Sequence, residues 1–128
     1  MSRVIFCEDE PRIRKLIQLS MRSTAHEVHI AADGVEGLEL AERLIPDAVF
    51  TDVAMPRMNG YELADAIQAR PQLGHVVIVF ITASVQPSQR EEAARHGAAG
   101  LLAKPFSPEE LRTKVDGFLR AIVQPAQR

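Results

Sequence analysis

Five short apolar runs rich in β-branched residues recur along the chain, at residues 3–7, 27–31, 48–53, 76–82 and 99–103. At least three of them stay apolar on consecutive residues instead of alternating, the pattern of a strand covered on both faces. Between the runs the period changes to that of a helix. Ile13, Leu16, Ile17 and Met21 fall on one stripe while Arg12, Arg14 and Lys15 face away, and Leu111, Val115, Phe118, Leu119 and Ile122 form a second stripe. Residues 86–96 are charged and poor in large apolar side chains, which predicts a surface helix. Start signals agree with this division: Pro11 suits a first helical turn, Asp33 can cap a helix with Glu36 three residues on, and Ser107-Pro108-Glu109-Glu110 opens the last segment. Gly97, and Pro46 after Leu44-Ile45, mark stops. Helix and strand therefore alternate five times, with connections too long for hairpins. That predicts right-handed crossovers and an α/β fold, a doubly wound five-stranded parallel sheet in a three-layer sandwich. A strand order of 2-1-3-4-5 would set the first and third strands side by side with their helices leaving to opposite faces, opening a crevice at the carboxyl ends where ligands bind.

Composition narrows the class. The chain has 128 residues, the size of one domain, with 46% hydrophobic and 25% charged residues, so disorder, collagen and coiled coil lose support. The longest aliphatic or aromatic run, residues 76–81, is far short of the roughly 18 residues of a membrane span, and the N-terminus lacks a basic-then-apolar signal. A cytoplasmic protein without membrane contact is expected. A net charge of −2 and a pI near 6.1 offer no attraction to a phosphodiester backbone, so direct nucleic-acid binding is not expected. The one cysteine, Cys7, excludes an internal disulfide and reads as a small buried strand residue. No repeat or linker interrupts the chain, and residues 124–128 read as a short polar tail.

The chemistry stands at the strand ends. The first run leads into Glu8-Asp9, the third into Asp52, the fourth into Thr82-Ala83 and the fifth into Lys104-Pro105. If these ends converge, three carboxylates, a hydroxyl and an ammonium share one crevice. Three carboxylates in close range raise each other's pKa and destabilise the fold unless a cation intervenes, and Lys104 supplies one positive charge. A hard divalent ion suits the rest: Mg²⁺ takes oxygen ligands and is completed by phosphate oxygens, whereas an all-oxygen set argues against zinc. Taken singly, each residue has a plainer reading. Glu8-Asp9-Glu10 could simply cap a helix, Thr82 is an ordinary strand residue, and Lys104 a solvated surface group. Asp52, closing the run Ala48-Val49-Phe50, needs partners on any reading. His26, His29, His75 and His96 form no metal-ligand grouping.

With these motifs in order, the chain resembles the response-regulator receiver domains of two-component signalling, and among them the single-domain chemotaxis regulators. The resemblance is carried by Glu8-Asp9-Glu10-Pro11, Asp52-Val53-Ala54-Met55-Pro56 with Met58-Asn59-Gly60, Thr82-Ala83, and Lys104-Pro105-Phe106. It implies a flavodoxin-like (βα)5 fold with strand order 2-1-3-4-5. It implies that Asp52 is a phosphoacceptor that attacks a phosphohistidine on a histidine kinase or histidine phosphotransfer protein. Glu8, Asp9, Asp52 and the backbone carbonyl of Ala54 would hold Mg²⁺, Lys104 would pair with a phosphoryl oxygen, and Thr82 would hydrogen-bond another. Ala83 would leave room for the incoming group, and Lys104-Pro105 would be a cis peptide. Asn59-Gly60 would form a tight turn tolerant of positive φ. Residues 1–123 would be the receiver unit, a monomer or weak dimer acting on a downstream protein the sequence does not name. The chain would stand alone, although a fragment of a longer protein would read the same way.

Two departures from the family pattern involve Leu101 on one hand and Ala54 with Ser84 on the other. Leu101 stands where an aromatic switch residue is frequent, so coupling to Thr82 would travel by apolar repacking. Ala54 and Ser84, two residues after Asp52 and Thr82, are weak water-orienting groups, which predicts slow self-dephosphorylation. Two other functions compete. An aspartyl-intermediate phosphohydrolase needs a second acid at position 54, and the Ala54 methyl transfers no proton. A receiver-like binding module without phosphorylation would be expected to lack part of the site, yet every position is filled.

Overall fold

The five apolar runs become five strands because their backbone groups pair with one another while both faces are roofed by helices. In the computed structural model, which describes residues 2–123, β1 (Arg3–Cys7), β2 (Glu27–Ala31), β3 (Ala48–Asp52), β4 (Val77–Thr82) and β5 (Gly100–Ala103) alternate with α1 (Pro11–Met21), α2 (Gly34–Leu44), α3 (Gly60–Gln68), α4 (Pro87–Arg95) and α5 (Pro108–Val123). The expected tail at 124–128 and the side chain of Ile122 lie outside the described residues. All strands are parallel in the order β2-β1-β3-β4-β5, so the helices leaving β1 and β3 diverge and leave a crevice between them.

Successive residues of each strand feed two separate cores. Val4, Phe6, Phe50, Val79, Ile81 and Leu102 face Ile17 and Met21 of α1 and Leu111, Val115 and Leu119 of α5. Ile5, Val49, Ile78 and Phe80 face Ala41 of α2 and Leu63, Ala64 and Ile67 of α3 on the other side. Phe6 and Phe50 stack across β1 and β3 with ring centroids 5.2 Å apart, and burying each such side chain is worth about 1.5–3 kcal/mol. Cys7 is fully buried in the second core; burial pushes its thiol up to about 12, so it remains a protonated packing residue.

Helix ends follow the sequence signals. Asp33 accepts from the Glu36 N–H, Ser107 and Glu110 form a reciprocal capping box, and Gly97 takes a positive φ of 77° just after α4. The Asn59-Gly60 expectation needs correction. Asn59 is an extended N-cap forming a capping box with Glu62, and neither residue has positive φ. In this loop the left-handed residue is Arg57, at φ 67°. Gly60 is required for a different reason: a Cβ there would lie 2.3 Å from the Asp52 carbonyl oxygen.

Candidate functional site

The acidic residues reach one place because β1 and β3 are neighbours. The Glu8 N–H donates to Ala31 O at 3.0 Å, which carries the edge of the sheet one residue past β1 and turns the Glu8 side chain inward, fully buried. Asp9 follows and is exposed. Asp52 ends β3 at 8% exposure, and its Oδ1 accepts from the Val53 N–H at 3.1 Å. From β5, Lys104 folds back over the cleft, its N–H donating to Thr82 O at 2.8 Å. Its Nζ stands 3.2 Å from Asp52 Oδ2 and 3.4 Å from Glu8 Oε1. The Lys104-Pro105 peptide is cis.

Electrostatics reflect this crowding. Burial raises the Glu8 carboxyl above its ordinary value; the Asp52 charge adds to the rise, while the Glu10 N–H and Lys104 oppose it. Burial alone would depress Lys104, but the Glu8 charge and the hydrogen bond to Asp52 outweigh it and hold the ammonium above its ordinary value. Oxygen atoms of Glu8, Asp9 and Asp52 all lie within 4.8 Å of one another. Three acids with one paired ammonium leave uncompensated negative charge, and the donors are all hard oxygens. The set fits a hard divalent cation.

The other expected residues divide between the cleft and its surroundings. Thr82 ends β4 beside Asp52's strand, and its hydroxyl accepts from the Ser84 N–H at 3.2 Å, so the hydroxyl proton is left to donate elsewhere. Ala83 and Lys104 both line a groove of about 320 Å³ walled by Ile13, Leu16, Pro105 and Phe106. Ala54 lies exposed in the β3–α3 loop. Leu101 is carried away from the carboxylates: it is half-buried, opposite Phe80 in the β4–β5 register, and packs into the α2–α4 core.

Three features escaped the sequence reading. Arg14, expected to face away, donates to the carbonyls of Glu8 and Asp9 at 3.1 and 2.9 Å and so fixes the backbone under the acidic pair. Arg57 forms a two-pronged ion pair with Asp33. His96 stacks on Tyr61 with ring centroids 4.5 Å apart and lies 2.9 Å from Asp65 and 3.0 Å from Glu92. The repeat Tyr61, Asp65, Gln68 along α3 was the available signal for the last, but its partner lies about 30 residues away. His26, His29, His75 and His96 join no metal-holding cluster among the described residues, nor is any described helix long and apolar enough to cross a membrane.

Residues 4–116 match the family model of the response regulator receiver domain. The chain is 35% identical over 118 residues to the response regulator MprA of Mycobacterium leprae, a match covering 92% of this chain and 51% of that protein. The chain thus spans about half the length of such curated relatives. Among solved structures it is similar to the chemotaxis response regulator CheY4 of Vibrio cholerae, at 33% identity and a TM-score of 0.86, covering 91% of this chain and 97% of that one. It is also similar to the receiver domain of the sensor histidine kinase PA1611 from Pseudomonas aeruginosa, solved with a magnesium ion coordinated in its active site cleft: 30% identity, TM-score 0.82, with 92% and 97% covered. With the sheet order, the acidic cleft and the apposed lysine, these matches place the chain in the response regulator receiver domain family, a signalling module of two-component systems.

Proposed function

We propose that the domain accepts a phosphoryl group onto Asp52 from a phosphohistidine of a histidine kinase or histidine phosphotransfer protein, and that the aspartyl phosphate changes its affinity for a downstream protein. The observation that carries the reading is a nearly buried carboxylate, Asp52, held at the end of a central strand with a lysine 3.2 Å away and two further carboxylates beside it. One Asp52 oxygen forms a bond to phosphorus as the P–N bond to the donor imidazole breaks, and the imidazole leaves with that electron pair. For such a loose in-line transfer, the protein's part is positioning and charge stabilisation.

Glu8, Asp9 and Asp52, with the backbone carbonyl of Ala54, would hold Mg²⁺. When bound, the ion neutralises the carboxylates and the incoming phosphoryl oxygens. Lys104 Nζ, bridging Glu8 and Asp52 in the resting domain, exchanges its Asp52 contact for a phosphoryl oxygen. Thr82 donates its hydroxyl proton to another, and the Ala83 methyl leaves the approach open. Leu101, in the apolar layer beneath α4, passes the Thr82 movement on by repacking. The receiver unit is assigned to residues 1–123, supported by the family match over residues 4–116.

Incubation with a small phosphodonor and Mg²⁺ is expected to add one phosphoryl group by intact mass, with labelling lost in Asp52→Asn and on chelation. A label that persists in Asp52→Asn would overturn the assignment. Because neither Ala54 nor Ser84 orients water strongly, the acyl phosphate is expected to decay slowly, and Ala54→Asn with Ser84→Glu to shorten its lifetime; faster decay in the native protein than in that variant would refute this.

A further inference from the structure

The β3–α3 loop, residues 53–59, packs Val53, Met55 and Met58 against the core under α2 and α3, and hydrogen bonds tie it at its base and at its tip. At its base the Gly60 N–H donates to Val53 O at 2.7 Å. At its tip Arg57 sits in a γ-turn, with φ 67° and the Met58 N–H donating to Pro56 O at 2.7 Å, a conformation that is rare and strained for a residue with a side chain. The strained residue is the one that reaches across to α2. Arg57 Nε and Nη2 donate to Asp33 Oδ2 and Oδ1 at 3.0 and 3.1 Å, in the two-pronged geometry that gives arginine–carboxylate pairs their directionality. Asp33 is itself fixed, since its Oδ1 also accepts from the Glu36 N–H as the α2 N-cap. Beside it the chain has made room: a Cβ on Gly34 would lie 2.2 Å from Met58 O, so glycine lets the loop tip lie directly on the first turn of α2.

Ala54 stands between these two ties, and its exposed methyl group makes no polar contact that would fix its own peptide. We infer that the Arg57–Asp33 ion pair is a strap that positions the loop carrying Ala54 and thereby sets the affinity of the acidic cleft for a divalent cation. This rests on the Mg²⁺ site proposed above, with Arg57 and Asp33 acting as positioning residues that touch no cation. A backbone carbonyl can serve as a ligand only where its loop is already held, and groups one layer behind a metal site control its affinity by that route.

The test is Mg²⁺ binding by isothermal titration calorimetry to the wild-type protein, Arg57→Gly, Arg57→Lys, Asp33→Asn and the Arg57→Gly/Asp33→Asn double variant. Arg57→Gly removes the guanidinium while relieving the left-handed backbone, so its melting temperature should not fall; Asp33→Asn keeps an acceptor for the Glu36 N–H. Each of these two is expected to weaken Mg²⁺ binding about tenfold, at the low end for such supporting groups. Arg57→Lys should fall between wild type and Arg57→Gly. The double variant should bind no worse than either single one, because both break one contact. Affinities within twofold of wild type in both single variants, or losses that multiply in the double variant, would overturn the inference while leaving the cation site intact. Failure of the wild-type protein to bind Mg²⁺ would overturn both.

Discussion

Lys104 meets Asp52 and Glu8 in a cleft that is closed on Glu8's side and open on Asp9's, with its own side chain 22% exposed. Without its charge, two buried acids face each other with no cation between them, which costs more than the loss of an exposed ion pair. Lys104→Met keeps most of the apolar stem and removes the ammonium. In the absence of Mg²⁺ the variant is expected to lose about 1–2 kcal/mol of stability, less than a fully buried pair because water reaches the Nζ. Added Mg²⁺ should recover part of that loss, since the ion replaces the missing charge. Urea denaturation with and without Mg²⁺ checks both, and an equal loss in the two conditions would mean that the lysine matters for packing alone. At this scale the sequence was legible in its residue types: Glu8, Asp9, Asp52, Thr82 and Lys104 all stand at strand ends. Arg14 was not, because its partners are the backbone carbonyls of Glu8 and Asp9, and carbonyls leave no mark on composition or spacing.

Among the elements, α4 is the least apolar helix, and Ala93 is its buried residue. What holds its far end is polar. The His96 ring lies on Tyr61, its two nitrogens meet Asp65 and Glu92, and its carbonyl accepts from Gln68 Nε2 at 2.6 Å. The hydrogen bond with Asp65 raises the His96 pKa against an opposing contribution from burial, with Glu92 adding to the rise. A raised histidine stabilises the fold fully below its unfolded value, near 6.5, and that contribution is lost as pH climbs through the higher folded value. Glu92 is held below the ordinary carboxylate range by hydrogen bonds from Arg95 and then His96, so its contribution is lost only in acid. The cluster is therefore strongest between the carboxylate and imidazole ranges. Melting temperatures at pH 6 and pH 8 should fall less in Asp65→Asn than in the wild-type protein, a difference that isolates His96 from the other histidines. Equal slopes would show that Asp65 does not support the charged ring. Strand boundaries, too, were legible to within one residue, and two of the shifts have a local cause. Val76 leaves β4 because its N–H goes to Leu73 O in the short 3₁₀ turn Pro71–Leu73, and Val53 leaves β3 because its N–H turns to Asp52 Oδ1 and its carbonyl to Gly60. The Tyr61–His96 stack and the Arg57–Asp33 strap were invisible for the opposite reason: they join elements far apart in the chain through single side chains with no periodicity to reveal them.

For the molecule as a whole, the two apolar layers set the fold and the cleft works against it. Packing against α1 and α5 on one side and α2–α4 on the other aligns the carboxyl ends of β1 and β3, and the price of that alignment is three acids around one lysine. The fold tolerates this because the sheet core supplies far more stabilisation than the crowding removes. Replacing Asp52 by asparagine keeps the shape and hydrogen-bonding capacity of the side chain and deletes one of the crowded charges, leaving Lys104 with Glu8. Without Mg²⁺, Asp52→Asn is expected to be the more stable protein by roughly 1 kcal/mol, or about 4 °C in melting temperature for a domain of this size. Mg²⁺ should reverse the order, because a ligand that binds only the folded state adds RT ln(1 + [L]/Kd) to its stability, and the variant has lost one of the ligands. Thermal melts of both proteins across a Mg²⁺ titration therefore give two curves that cross. If the wild-type protein were already the more stable one without the ion, the three carboxylates would not be in conflict, and the need for a cation in this cleft would disappear with it.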